Sequence, residues 1–192
     1  MPIETRHPFD ELTPDLLMDA VESQSLISDG RFLALNSYEN RVYQVGIEDE
    51  DPVIAKFYRP GRWTEAQIIE EHEFCFELLQ HELPVVAPWI NSEGCSLHRH
   101  KGYLFALYLR RGGHAPELDN LDNLLILGRS MGRIHGVGSI QSFQHRPTLD
   151  VENFGWQSYR LISEQFITPE LQIAYDSLAS DVLNKIEQLM SE

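Results

Sequence analysis

The stretch VIAKFYRPGRWTEAQIIEEHEFCFELLQ, residues 53–80, decides the fold. In VIAKFY (53–58) successive side chains point to opposite faces of a strand, so Val53, Ala55 and Phe57 share one face and Ile54, Lys56 and Tyr58 the other. Lysine is a poor strand former, and taken alone Lys56 reads most simply as a residue of a solvated face or an edge strand. RPGRW (59–63) breaks the strand. Thr64 and Gln67 then have the spacing of a capping box, and Ile68, Cys75, Leu78 and Leu79 supply the apolar stripe of a helix. Glu71 falls on that stripe, at 68, 71, 75 and 78. Burying a carboxylate alone costs roughly several kcal/mol or forces its protonation. Glu71 therefore needs a partner, unless it lies at the margin of an acidic helix beside Glu70 and Glu73. The two oddities explain each other. A strand lysine and a helix glutamate 15 positions later form an ion pair if the helix packs on the sheet.

Working outward, TPDLLMDAVESQ (13–24) predicts an amphipathic helix with Thr13 as N-cap and Pro14 at its first position, in a region closed by Gly30. RFLALNS and RVYQVGI predict two strands flanking the polar knot Asn36-Ser37-Tyr38-Glu39-Asn40-Arg41. The acidic turn EDEDP (48–52) leads into the lysine strand, which suggests an antiparallel meander. Beyond the glutamate helix, VVAPWI, CSLHRH and YLFALYL predict two or three more strands. RRGGHAPELDN (110–120) is a linker by composition. LDNLLILGRSMGRIHGVG and TPELQIAYDSLASDVLNKIEQLMSE predict helices, with the weakly helical VENFGWQSYRLISEQF between them. His135 is expected to end its helix near Gly136. The fold class expected is α+β: an antiparallel sheet plus one helix over 1–109, then a linker and the first helices of a helical lobe over 110–192.

The chain has 192 residues, 42% of them hydrophobic, which is ample for a packed core. Its formal net charge of −15 repels phosphate backbones and anionic membranes, which argues against a general nucleic-acid or membrane-surface binder. The two cysteines form no zinc-like pattern and no disulfide framework. MPIETRHPFDEL lacks the features of a signal peptide, and no apolar run approaches the ~20 residues that span a bilayer. The expected compartment is the cytosol.

Protein kinases pair a strand lysine, which reaches the α- and β-phosphates of ATP, with a helix glutamate that holds it. The compact lysine ammonium suits a phosphate. LNSYENRVYQV, IAKFYRPGRW, IIEEHEF, PVVAP and LGRSMGRIHGVG closely resemble the bacterial stress response kinase A family over almost the whole chain. These are serine/threonine protein kinases with a fold similar to aminoglycoside phosphotransferases and choline kinases. The resemblance implies a nucleotide-binding hairpin at 35–45 with Ser37 at its tip. It implies Lys56 as the phosphate-binding lysine, with Glu71 as its partner and Glu70 as the alternative. FALYL (105–109) would be the hinge, with backbone near Leu107 and Tyr108 facing the adenine. Asn36 and Asn40 would supply the turn conformations that glycine provides in other phosphate loops. His135 is read as structural.

The resemblance also implies a catalytic loop of the form H-x-D-x-x-x-x-N and a later D-x-D that binds Mg²⁺, and neither is present. In HRPTLDVENFGW (145–156), Asp150 follows His145 by five positions rather than two, and it lies too early. The expectation is therefore the front part of a longer kinase or a truncated product, inactive alone. ATP would be its ligand, Mg²⁺ would be held elsewhere, and a protein hydroxyl would be the substrate. Two other readings stay open: a small-molecule phosphotransferase acting on choline, homoserine or an aminoglycoside, and a non-catalytic module that binds ATP or a partner. The last helices should leave Leu171, Ala174, Leu178, Val182 and Leu189 partly uncovered.

Overall fold

The structure, a computed structural model, describes residues 7–191. Five antiparallel strands form one sheet in the order β1-β2-β3-β5-β4. They are β1 (Ser28–Leu35), β2 (Arg41–Ile47), β3 (Glu50–Phe57), β4 (His98–His100) and β5 (Tyr103–Leu109). Helix α1 (Pro14–Glu22) precedes the sheet, and α2 (Glu65–Gln80) connects β3 to β4. Next comes α3 (Leu121–Gly138). A π-helical segment (Glu152–Trp156), α4 (Gln157–Gln165) and α5 (Pro169–Met190) complete the chain. The backbone clusters into two compact units, which divide between His145 and Arg146.

Alternation in β3 and β5 builds the first unit. Val53, Ala55 and Phe57 join Tyr103, Phe105 and Leu107 in a core sealed by Leu17, Ala20 and Val21 of α1. The opposite face carries Tyr58 and Ala106, which pack with Ile68 of α2. The sheet therefore lies between two helices, and Lys56 faces the α2 side. Thr13 caps α1, and Thr64 and Gln67 complete the expected capping box on α2. A further apolar cluster of Leu78, Leu83 and Val137 joins α2 to α3, and Arg133 donates to the carbonyl of His81 at 2.7 Å.

Some expectations change. Gly30 closes no helix: it lies within β1 at φ +81°, where the register to β2 shifts, a bulge that suits a residue without Cβ. VVAPWI forms no strand. Pro88 makes a single bridge to Tyr108, because prolines at 84 and 88 remove ladder donors. Leu79 is 44% exposed, and His72 takes the buried place on the α2 stripe. Helix α3 continues past His135 to Gly138.

In the second unit, the Tyr159 ring stacks on Tyr175 with centroids 5.7 Å apart, and its hydroxyl donates to Asp176 at 2.8 Å. Neither α4 nor α5 buries a residue fully. Leu171, Leu178 and Leu189 are 60%, 67% and 72% exposed, Val182 is 45% exposed, and Ala174 is exposed as well.

Candidate functional site

Lys56 and Glu71 meet. The ammonium Nζ donates to Glu71 Oε1 at 2.9 Å, and the two side chains are 22% and 32% exposed. The pair is half-open, so it contributes about 1 kcal/mol or less to stability. Its value lies in holding an ammonium at a reachable place. Successive helix residues point about 100° apart, so Glu70 and Glu71 cannot both face Lys56. Glu70 instead turns toward the backbone of Gln144 and His145.

A chain of hydrogen-bonded side chains runs beside Lys56. Its Nζ stands 4.7 Å from the centroid of the Tyr58 ring, a cation–π distance. The Tyr58 hydroxyl meets His72 Nε2 at 2.8 Å, and His72 Nδ1 meets Ser96 Oγ at 2.9 Å. Tyr108 completes the chain, its hydroxyl 3.4 Å from that of Tyr58. His72 is 1% exposed, and burial pushes its pKa down to about 4. The ring is therefore neutral, and one nitrogen donates while the other accepts. Burial pushes the Tyr58 hydroxyl far above its ordinary value and the Tyr108 hydroxyl up to about 12.

Register adds residues that alternation alone does not find. Leu35, Val42, Lys56 and Ala106 are cross-strand neighbours in sequence across β1, β2, β3 and β5. The adjacent row on the same face is Leu33, Gln44, Ile54 and Tyr108. Leu33 is 59% exposed, and Leu35, Val42 and Ile54 are half-buried. An open apolar surface thus runs up to the ammonium. No local pattern in the sequence marks it, because it depends on how three hairpin partners align.

The polar knot is the bend that joins β1 to β2. Ser37 is half-buried, Asn36 is exposed and Tyr38 is wholly exposed. Neither asparagine takes the role expected of it. Among the described residues, the non-glycine positions with positive φ are Ser25, Asp49, Glu82 and Lys101. The bend is made without left-handed backbone at 36 or 40, so Asn36 and Asn40 stand in for no glycine. Asn40 Oδ1 accepts from the Arg59 N–H at 3.2 Å. Glu39, which the sequence reading did not single out, ties the bend to the loop before α2. Its carboxylate accepts from Trp63 Nε1 at 2.6 Å and from Arg62 Nε at 2.9 Å. Burial pushes the Glu39 carboxyl up, but these bonds outweigh it and hold the group below its ordinary range.

Leu107 and Tyr108 lie inside the sheet. The Leu107 carbonyl accepts from the Trp89 N–H at 2.7 Å, and Tyr108 stands in register with Ile54 and with Pro88. One of the two acceptor positions of the Leu107 carbonyl is therefore already engaged within the sheet unit. The main chain leaves the sheet only after Leu109. Among the described residues, no three His, Cys, Asp or Glu side chains gather in a way that could hold a metal ion. Among the same residues, no helix is long and apolar enough to cross a membrane.

The chain is similar to several characterised proteins. It is 42% identical over 161 residues to stress response kinase A of Escherichia coli O157:H7, which covers 84% of this chain and 49% of that protein. It is 38% identical over 175 residues to the serine/threonine protein kinase RdoA of Salmonella typhimurium, covering 91% and 53%. The chain thus spans about half the length of the curated relatives it matches. Among solved structures, an amicoumacin kinase in complex with AMP-PNP, Ca²⁺ and Ami superposes with a TM-score of 0.68 at 18% identity, covering 91% of this chain and 54% of that one. A microcompartment-associated aminopropanol kinase superposes with a TM-score of 0.56 at 17% identity, covering 78% and 54%. These two likenesses establish an α+β kinase-like fold and nothing about substrate. The model of the phosphotransferase enzyme family matches residues 31–189, a span that takes in the sheet and its lysine–glutamate pair, and the chain belongs to that family.

Proposed function

We propose that the α2-side face of the sheet binds ATP. On this reading the chain is the nucleotide-binding part of an ATP-dependent serine/threonine protein kinase of bacterial stress response. The observation that carries the reading is the Lys56–Glu71 pair, a half-exposed ammonium held 2.9 Å from a helix carboxylate beside an open apolar surface. When bound, ATP supplies a phosphoryl group for transfer to a hydroxyl. Lys56 would hold its phosphates, and Ser37 would offer a hydroxyl and an N–H from the hairpin bend. Val42, Ile54 and Leu35 offer the base an apolar bed. Main-chain groups near Leu107 and Tyr108, where the strand runs out toward the linker, would meet its edge. Residues 1–109 form the nucleotide lobe in this reading, and 110–192 the linker and the start of a helical lobe. The protein-hydroxyl substrate rests on the name of the Salmonella typhimurium relative, a serine/threonine protein kinase. The proposed setting is the cytoplasm, in keeping with two free cysteines.

The described residues offer no cluster that fits Mg²⁺, so no step is assigned to a metal. Binding is therefore the readout for this chain. Calorimetric titration with ATP and with a non-hydrolysable analogue should give saturable binding. Lys56→Ala should weaken it by about ten-fold or more, the usual loss for a charge-assisted contact. Absence of binding by the unaltered chain at millimolar nucleotide would sink the reading.

A further inference from the structure

Glu70 stands next to the glutamate that holds Lys56, and it has a different partner. Its two carboxylate oxygens accept from successive backbone N–H groups, Oε1 from Gln144 and Oε2 from His145, the latter at 2.9 Å. One turn earlier on α2, Gln67 Nε2 donates to the His145 carbonyl at 2.9 Å, while Gln67 Oε1 accepts from the Thr64 N–H in the capping box. One turn later, the Phe74 ring meets Phe143 edge-on with centroids 5.3 Å apart. Residues 67, 70 and 74 share one side of α2 at i, i+3 and i+7. They grip a three-residue segment about 75 positions away in the chain.

These contacts lie on a side of α2 that the sheet does not touch. Ile68 and His72 bury the sheet-facing side, Glu71 lies at its edge, and Leu78 packs with Leu83 and Val137 of the α2–α3 cluster. Turning α2 enough to carry Glu71 away from Lys56 would drag Glu70 off both N–H groups. Those exposed donors would then exchange a charged acceptor for water, losing two charge-assisted bonds.

We propose that Phe143–His145 is a latch on α2, closed by Glu70, that sets the helix so Glu71 holds Lys56. Glu70 is a positioning residue in this scheme and touches no ligand. Only the last consequence, an effect on nucleotide affinity, rests on the reading of the face as an ATP site.

The test uses the whole chain and two variants from opposite sides of the contact, Glu70→Ala and Phe143→Ala. Amide exchange read by mass spectrometry should show 144 and 145 released in both. Labelling of Lys56 by an amine-reactive reagent, without nucleotide, should then accelerate about five-fold or more, the range of an ordinary coupling. Nucleotide affinity should fall by a similar factor. In a Glu71→Gln background, Glu70→Ala should add little to Lys56 labelling, because the pair it supports is already weakened. Release of the 144 and 145 amides with unchanged Lys56 labelling would overturn the latch, and so would fully additive effects of Glu70→Ala and Glu71→Gln. A variant that fails to fold is replaced by its counterpart across the contact, which carries the same expectation. If labelling behaves as expected but the unaltered chain binds no nucleotide, the latch stands and the ATP reading fails. If nucleotide binds and labelling is unchanged in both variants, the reverse holds.

Discussion

The sheet unit and the helical unit treat apolar side chains in opposite ways. Around the sheet, Phe57, Phe105, Ile68, Ala55 and Ala106 are fully buried, and a helix packs on each of its two faces. Along α5, Leu171, Ile173, Leu178 and Leu189 remain 60% exposed or more. The same residue types are present in both. A sheet with helices on both sides removes two layers of side chains from water at once, whereas a helix pair covers only the stripe along which it touches. Stability in this chain should therefore concentrate in residues up to His145.

Four measurements would break or sharpen that contrast. The largest effect belongs to Phe57→Ala, which should cost about 3–5 kcal/mol in denaturant unfolding followed through Trp63 and Trp89. A loss of about 1 kcal/mol or less would mean that the sheet core is looser than its burial suggests. Second is pH. The folded pKa of His72, about 4, lies below the value of 6.5 in an unfolded chain. The unfolded state therefore binds more protons between these values. Stability is fully present above 6.5 and falls as pH drops toward 4, by roughly 2–3 kcal/mol from this group. His72→Gln should flatten that part of the profile, and a slope that survives the substitution would remove His72 as its cause. Third, Glu71→Gln should change global stability by about 1 kcal/mol or less while weakening nucleotide binding, because the pair is half-exposed. A large stability loss would make the pair structural. The smallest expected effect is that of Leu178→Ala, within about 0.5 kcal/mol, since the side chain is already in water. A larger loss would show that something covers α5 in solution, and light scattering on the same sample would report whether a second copy does so.

The Lys56–Glu71 pair could be found without coordinates because both signals are local. Alternation put Lys56 on one face, and a 3.6-residue stripe put Glu71 toward the sheet. Proline chemistry accounts for the one segment, VVAPWI, that looked like a strand and forms only a bridge at Pro88. His72 could have been noticed, since it lies four residues after Ile68 on the same stripe, but it was hidden in the acidic run EEHEF. The polar knot contains no glycine, yet it forms without left-handed backbone at Asn36 or Asn40. The bend is held by cross-loop bonds from Glu39 and Asn40 instead.

The amino-acid order by itself determined the element types, the two faces of the central strand and the residue types that meet across the strand and helix. These follow from periods of 2 and 3.6 residues and from capping chemistry, which act over a few neighbours. The choice between Glu70 and Glu71, the row Leu35–Val42–Lys56–Ala106, the engaged carbonyl of Leu107 and the latch at 143–145 came only from the folded chain. Each depends on register or on contacts made across tens of residues, where the pairing is selected by the packing of the whole unit and leaves no local mark.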